Sequence, residues 1–351
     1  MTDLSTTYMG LHLSNPIVVA SSGLTTNLKG VKKCAEAGAG AIVLKSLFEE
    51  QIAAETRALG RYADFVDHGE AAEYLASYGM ALGPRDYLRL VREAKQEVEV
   101  PIIASLNCVT DGRWGDYARQ LEGAGADAIE LNVALMPTDP HQEGAEVEEI
   151  YFRILHEVKS RVGVPVALKI GPHFTALARV AERLTRDRVE GADFSVGWCG
   201  GATGGGRVVW RGADALVLFN RFLRLDIDLE TLKLVAGNPY SSPEESHTTL
   251  RWISLLAGRI DGDLAAATGI HDGLDIARQI LAGATTVQVC STLYLHGFGQ
   301  IGRMRGELEE WMDGHGFAAL GDFRGRLSQA RSERPHSYER LQYLKLFGGG
   351  G

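Results

Sequence analysis

No apolar run in the 351 residues approaches the roughly 20 needed to cross a bilayer, so a helical membrane span is not expected. Cysteine is scarce. Its four copies, Cys34, Cys108, Cys199 and Cys290, lack CxxC or CxH spacing, so neither a zinc site nor a disulfide framework is expected. A basic surplus is missing too. The net charge of −9 excludes a general nucleic-acid or anionic-membrane surface, leaving room only for a local patch around one phosphate. The opening MTDLSTTYMGLHL lacks the basic-then-apolar order of a signal peptide. With the unpaired cysteines, this makes the cytoplasm the expected setting. Metal ligation, nucleic acid and membrane are all set aside.

What is present suits a soluble enzyme: hydrophobic residues are 45% and charged residues 23% of the chain. Short runs rich in Val, Ile and Ala alternate with amphipathic stretches. The runs are Pro16–Ala20, Ala41–Lys45, Pro101–Ser105, Ala128–Asn132, Pro165–Lys169, Ala213–Phe219, Leu264–Ala267 and Thr286–Val289. Their continuous apolarity fits parallel strands buried on both faces. Helical patterns lie between them, at Leu28–Ala37, Arg85–Val98, Trp114–Ala124, Ala145–Val162 and Leu274–Ala282. Many end in glycine just before the next strand, as in AGAGAIVL and LAGATTVQV, the usual chemistry of a helix-to-strand turn.

Strand–helix alternation of this length predicts a (β/α)₈ TIM barrel of the α/β class. The rival, an open doubly wound sheet, would need a Gly-rich turn after the first strand and an acidic residue after the second, and neither is there. Thr6–Leu13 reads as a short N-terminal hairpin able to plug the barrel floor. One domain is expected over 1–347, with a glycine tail at 348–351. A Gly-rich insertion is expected at 185–211, before the sixth strand, where an ordinary helix-to-strand connection would be far shorter. It reads equally as an unstructured excursion or a functional lid.

In such barrels the chemistry sits where the strands end at their C-termini. Those positions carry Ser21, Lys45, Asn107, Asn132, Lys169, Asn220, Gly269, Cys290 and Ser291. Two ammonium groups and three amides suit a planar, electron-rich ring with alternating C=O and N–H edges. Any one of them read alone is as much a strand-closing polar residue as a ligand. Gly269 and the short helix opening at Ser291 add backbone N–H groups suited to a phosphate.

The pieces NPIVVASSG, GAIVLKS, ELN, PVALKIGP, LFNRF and GIHDGLDIARQILAGATTVQV, in that order, resemble the dihydroorotate dehydrogenases of the soluble flavoprotein branch. The resemblance runs from about Leu4 to about Gly314, interrupted by the insertion. It implies FMN at the barrel mouth, with Ser21, Lys45, Asn107, Asn132 and Lys169 on the ring and ribityl parts. Gly269 and the backbone near Cys290 and Ser291 would hold the phosphate. Asn132 and Asn220 would bind the substrate, and Lys45 would stabilise the reduced ring. It further implies hydride transfer from dihydroorotate to the flavin as a base removes a proton, in pyrimidine biosynthesis. The implied partners are a small ring substrate, a soluble electron acceptor and, as soluble relatives do, a second copy in a homodimer.

The sequence also departs from that pattern. Where the family places a Cys or Ser base, in a motif close to LNxSCPN, this chain reads LNVALMPTD, and Leu135 or Met136 holds the position. Neither accepts a proton. Ala76 stands at an expected Asn, Arg221 at a small hydroxyl residue, and Cys290 at a phosphate-loop glycine. Cys108 is the candidate replacement base, against the plainer reading of a buried thiol. Thr138 and His68 are secondary candidates. Two rivals to the dehydrogenase stay open: a catalytically weakened flavin- or metabolite-binding barrel, and a flavin-free phosphate-binding isomerase or lyase.

Overall fold

A computed structural model describes residues 2–51, 83–108, 114–190, 208–222, 224–336 and 338–339. Residues 191–207, the glycine tail, Ala76, His68 and Cys199 lie outside the described residues. Two short strands, β1 (Thr6–Tyr8) and β2 (Leu11–Leu13), pair antiparallel at the start. The parallel strands β3 (Ile17–Val19), β4 (Ala41–Val43), β5 (Leu47–Phe48), β6 (Ile102–Cys108), β7 (Ala128–Val133) and β8 (Val166–Ile170) follow. An antiparallel pair, β9 (Arg188–Glu190) and β10 (Val208–Trp210), precedes β11 (Ala215–Leu218). A hairpin of β12 (Leu225–Asp228) and β13 (Lys233–Ala236) comes before β14 (Asp263–Ala267) and β15 (Thr286–Val289).

The strand order β4-β3-β15-β14-β11-β8-β7-β6 closes through a β4–β6 pairing, giving eight parallel strands in a barrel, with β5 added beside β6. This is the expected TIM barrel. Helices follow the strands at Leu28–Glu36, Pro84–Glu97, Trp114–Gly123, Gly144–Lys159, Leu177–Thr185, Ser246–Leu256 and Gly273–Ala282. Their ends obey local chemistry. Asn27 caps its helix by accepting from the Gly30 N–H at 3.0 Å, and Asp272 does the same for Asp275 at 2.7 Å. Gly283, at φ +124°, ends the last of these helices in a conformation side chains disfavour.

Two apolar layers result. Alternate strand residues pack outward on the helices, among them Ile42, Ile102, Leu131, Leu168 and Leu216. The others point into the lumen, where small residues predominate: Ala41, Ala128, Ala167, Ala215, Ala265 and Ala267. Alanine leaves room at the floor, and Tyr8, Met9 and Leu13 of the N-terminal hairpin fill it. That hairpin turns through Met9 and Gly10, both at positive φ (54° and 78°), as a two-residue hairpin turn demands. The Met9 N–H is fastened to Asp263 Oδ2 at 2.7 Å.

Three features depart from the expected pattern. Strand β6 runs on to Cys108 rather than ending at Ser105, because Leu47, Phe48, Asn132 and Val133 extend its ladder on both sides. Hairpin β12–β13 was not anticipated, and its apolar face is bare, with Leu225 and Leu234 each 71% exposed. A long helix, Gln300–His315, follows the barrel. Around the Gly-rich segment, the Ala213 N–H donates to Leu184 O at 2.7 Å, joining the preceding helix directly to the approach of β11.

The lumen wall is also tied to the helical layer. The buried Tyr87 hydroxyl accepts from the Ser105 N–H at 2.8 Å and donates to Ser105 O at 3.2 Å. Tyr87→Phe removes the acceptor of the buried Ser105 N–H, and is expected to lower unfolding free energy by about 2 kcal/mol in urea titration. A loss under about 0.5 kcal/mol would show that the strand does not depend on this tether.

Candidate active site

Residues paired across parallel strands share a face. The register aligns Phe48 with Asn107, Asn107 with Asn132, and Asn132 with Lys169. Lys169 aligns in turn with Val217, a lumen residue, so this row faces the lumen near the C-terminal ends of the strands. Three sequence-predicted residues, Asn107, Asn132 and Lys169, are thereby brought together. Asn132 Oδ1 is buried and has no hydrogen-bond partner among the described residues.

Lys45 joins them from the end of β4. Its Nζ lies 5.0 Å from the centre of the Phe48 ring. Burial lowers its pKa, with Cys290 opposing the shift. Burial likewise pushes the Cys290 thiol up, against a Ser22 hydrogen bond and the charges of Lys169 and Lys45. Cys290 thus lies within electrostatic reach of both lysines. Ser21 is held from the same rim: its Oγ accepts from the Ser46 N–H at 2.7 Å and lies 2.9 Å from Ser46 Oγ, itself 2.8 Å from Ser105 Oγ.

Below this rim lies a polar group that joins Glu130, of the ELN in β7, to a residue inside β15. Lys169 Nζ donates to Gln288 Oε1 at 2.8 Å, and Gln288 Nε2 donates to Glu130 Oε2 at 2.5 Å. Glu130 is 1% exposed. The signal available in sequence was a polar residue inside an otherwise apolar strand, in AIELNV and TVQV.

Asn220 sits at the end of β11, its amide donating weakly to Lys169 O and Val133 O, at 3.4 and 3.5 Å. Arg221 turns away from the rim and grips the loop that follows β13. Its guanidinium meets Glu245 at 3.0 Å and the carbonyls of Asn238, Pro239 and Tyr240, each at 3.0 Å. That loop delivers Ser241 between the two predicted phosphate residues. Ser241 Oγ accepts from the Gly269 N–H at 3.2 Å, and the Ser241 N–H donates to Ser291 Oγ at 2.9 Å. Just before Gly269, Thr268 has φ +74°, a strained setting for a β-branched residue.

Cys108 is not brought to this group. It follows Asn107 by one residue, so it points to the helices, where it is fully buried. Burial, then Glu49, pushes its thiol well above the ordinary value, which removes the thiolate a base would need. Leu135 packs against the outer core, while Met136 and Thr138 are exposed. Among the described residues no cluster of His, Cys, Asp or Glu could hold a metal ion.

The ring half of a flavin fits these residues. An unpartnered buried amide oxygen, two ammonium groups and an aromatic ring suit a planar ligand bearing N–H donors and negative charge. At the phosphate end, Ser241, Gly269 and Ser291 supply hydroxyl and N–H groups, now bonded to one another.

The family model "Dihydroorotate dehydrogenase" matches residues 3–190, more than half the chain. Among curated proteins, the "Dihydroorotate dehydrogenase B (NAD(+)), catalytic subunit" of Thermoplasma volcanium is 28% identical, over 89% of this chain and 94% of its own. The protein of that name from Methanocaldococcus jannaschii is 24% identical, over 84% and 89%. The chloroplastic "Dihydropyrimidine dehydrogenase (NADP(+))" of Arabidopsis thaliana is 25% identical, over 89% and 74%.

The Arg221 grip has a measurable pH signature. Burial works against the Glu245 charge, but Arg221, the Ser242 N–H and Arg224 outweigh it and hold the carboxyl below its ordinary value. A depressed carboxyl contributes stability above that ordinary value and loses it as pH falls. Arg221→Met should therefore cost about 2 kcal/mol at neutral pH, and less as pH drops below about 4. A cost independent of pH would remove Glu245 as the relevant partner.

Proposed function

Because the chain belongs to the dihydroorotate dehydrogenase family, whose members are flavin-dependent oxidoreductases, we propose that it binds FMN and dehydrogenates dihydroorotate or a closely related dihydropyrimidine ring. The observation carrying this reading is the lumen row Asn107–Asn132–Lys169 facing Lys45 and Cys290 at the barrel mouth. FMN, when bound, supplies the hydride acceptor; the protein supplies orientation and charge.

Lys45 and Lys169 would hold negative charge on the ring, and burial, which lowers the Lys45 pKa, supports an anion beside it. Ser21, Asn107 and Asn132 would fix the polar edges. Ser241, Gly269 and Ser291 would take the phosphate, Cys290 flanking them. Asn220, with Asn132, would orient the substrate.

A second reading, a catalytically weakened flavin or metabolite binder, is favoured by one specific observation. Leu135 and Met136 hold the place of a base, and Cys108 faces the wrong side of its strand. The relatives' names point to a nicotinamide acceptor reached through another subunit, and we extend the proposal to such a partner. A homodimer belongs to the same reading, supported by the bare apolar face of hairpin β12–β13. So does a cytoplasmic setting, supported by the free thiols of Cys34, Cys108 and Cys290. Among the described residues no helix is long and apolar enough to cross a membrane.

The test is an absorbance spectrum of purified protein incubated with FMN, followed by anaerobic dihydroorotate. Flavin bands that bleach are expected. Bands that persist favour the weakened binder, and a protein that stays colourless overturns the cofactor assignment. Lys45→Ala should slow flavin reduction by about 100-fold with an unchanged melting temperature. Unaltered kinetics would take Lys45 out of the site.

A further inference from the structure

We propose that Glu130 and Gln288 are positioning residues for Lys169: a buried carboxyl fixes the direction of a buried amide, and the amide fixes the ammonium at the mouth. This rests on reading the mouth as the flavin site.

The direction follows from donor and acceptor chemistry. An ammonium only donates, and a carboxylate oxygen only accepts. Gln288, 3% exposed, lies between the two. Its carbonyl must face Lys169 and its NH₂ must face Glu130. The flipped amide would set N–H groups against the ammonium and oxygen against oxygen. The three residues come from β7, β8 and β15, with β11 and β14 lying between β8 and β15 in the barrel. The chain of bonds therefore spans the lumen rather than one ladder.

Stability does not account for Glu130. Burying a carboxyl is costly unless it is paired or fully hydrogen-bonded. Glu130 Oε1 has no partner among the described residues, and no ion pair described there includes Glu130. Neighbouring Tyr8 also leaves its hydroxyl unpartnered. Among the described residues, the one side-chain hydrogen bond of Glu130 is spent on Gln288. A buried carboxyl with that single use is what a positioning role requires. Among the described residues Lys169 in turn meets no carboxylate in an ion pair, and Gln288 is its side-chain partner. Released from it, the flexible four-carbon stem has several rotamers to occupy.

The experiment uses flavin-free protein first. Lysines are labelled with trinitrobenzenesulfonate at limiting reagent, and the Lys169 and Lys45 peptides are followed by mass spectrometry. In Glu130→Leu and Gln288→Met, Lys169 should label about five-fold faster, as the loss of one hydrogen bond allows, while Lys45 labels at the wild-type rate. Equal acceleration of both lysines would mean general loosening, and an unchanged Lys169 rate would mean no positioning. Either overturns the proposal. Should one of these variants fail to fold, Gln288→Asn, which withdraws the amide by one methylene, replaces it with the same expectation.

A second arm measures FMN dissociation constants. Glu130→Leu should weaken binding about ten-fold in the native background, and less than about two-fold beside Lys169→Met. Equal weakening in both backgrounds overturns the relay. If Lys169 labelling rises but no variant nor the native protein binds FMN, the relay stands and the flavin reading falls.

Discussion

Period-two alternation around a closed ring of eight strands is the constraint on which the rest of this structure depends. It assigns every strand residue to the lumen or to the helical layer with no intermediate choice. Because the lumen is narrow, alanine is the commonest apolar residue facing inward, and the polar residues there carry the specific work. Tyr8, Met9 and Leu13 stop the floor. Asn107, Asn132 and Lys169 line the upper end, and Glu130 and Gln288 bridge the space between.

The same rule explains what could be read from sequence. Strands were legible because buried parallel strands are continuous apolar runs, and that continuity survives without knowledge of partners. The mouth residues were legible as a class, since active-site groups in this fold gather where strands end. Facing was not. Asn107 and Cys108 are neighbours in sequence and opposites in space, and only the register of β5, β6 and β7 decides which one sees the lumen. A catalytic role for Cys108 needed the wrong half of that alternation. The link between Glu130 and Gln288 was not legible for the converse reason. Each is one polar letter inside an apolar word, and their meeting across the barrel depends on closure, which no local pattern encodes.

Arg221 shows how a substitution at a mouth position is absorbed. The guanidinium is too long and too well supplied with donors to stay at the rim. It reaches Glu245 and three consecutive carbonyls, and so fixes the loop that carries Ser241 against Gly269 and Ser291. The residue that interrupts the family pattern has become a fastening for the neighbouring loop, and the strained Thr268 sits beside that fastening.

Closure also joins β3, near the start of the chain, to β15, about 270 residues later. A chain emerging from the ribosome N-terminus first displays Ile17, Val18 and Val19 long before Val287, Gln288 and Val289 exist to pair with them. The barrel therefore cannot seal before β15 has been made. Gln288 belongs to that last strand, so the link from Glu130 to Lys169 also waits for it. A polypeptide truncated before residue 286 would lack both the seam and the link, and would expose both β14 and β3 as edges of an open parallel sheet.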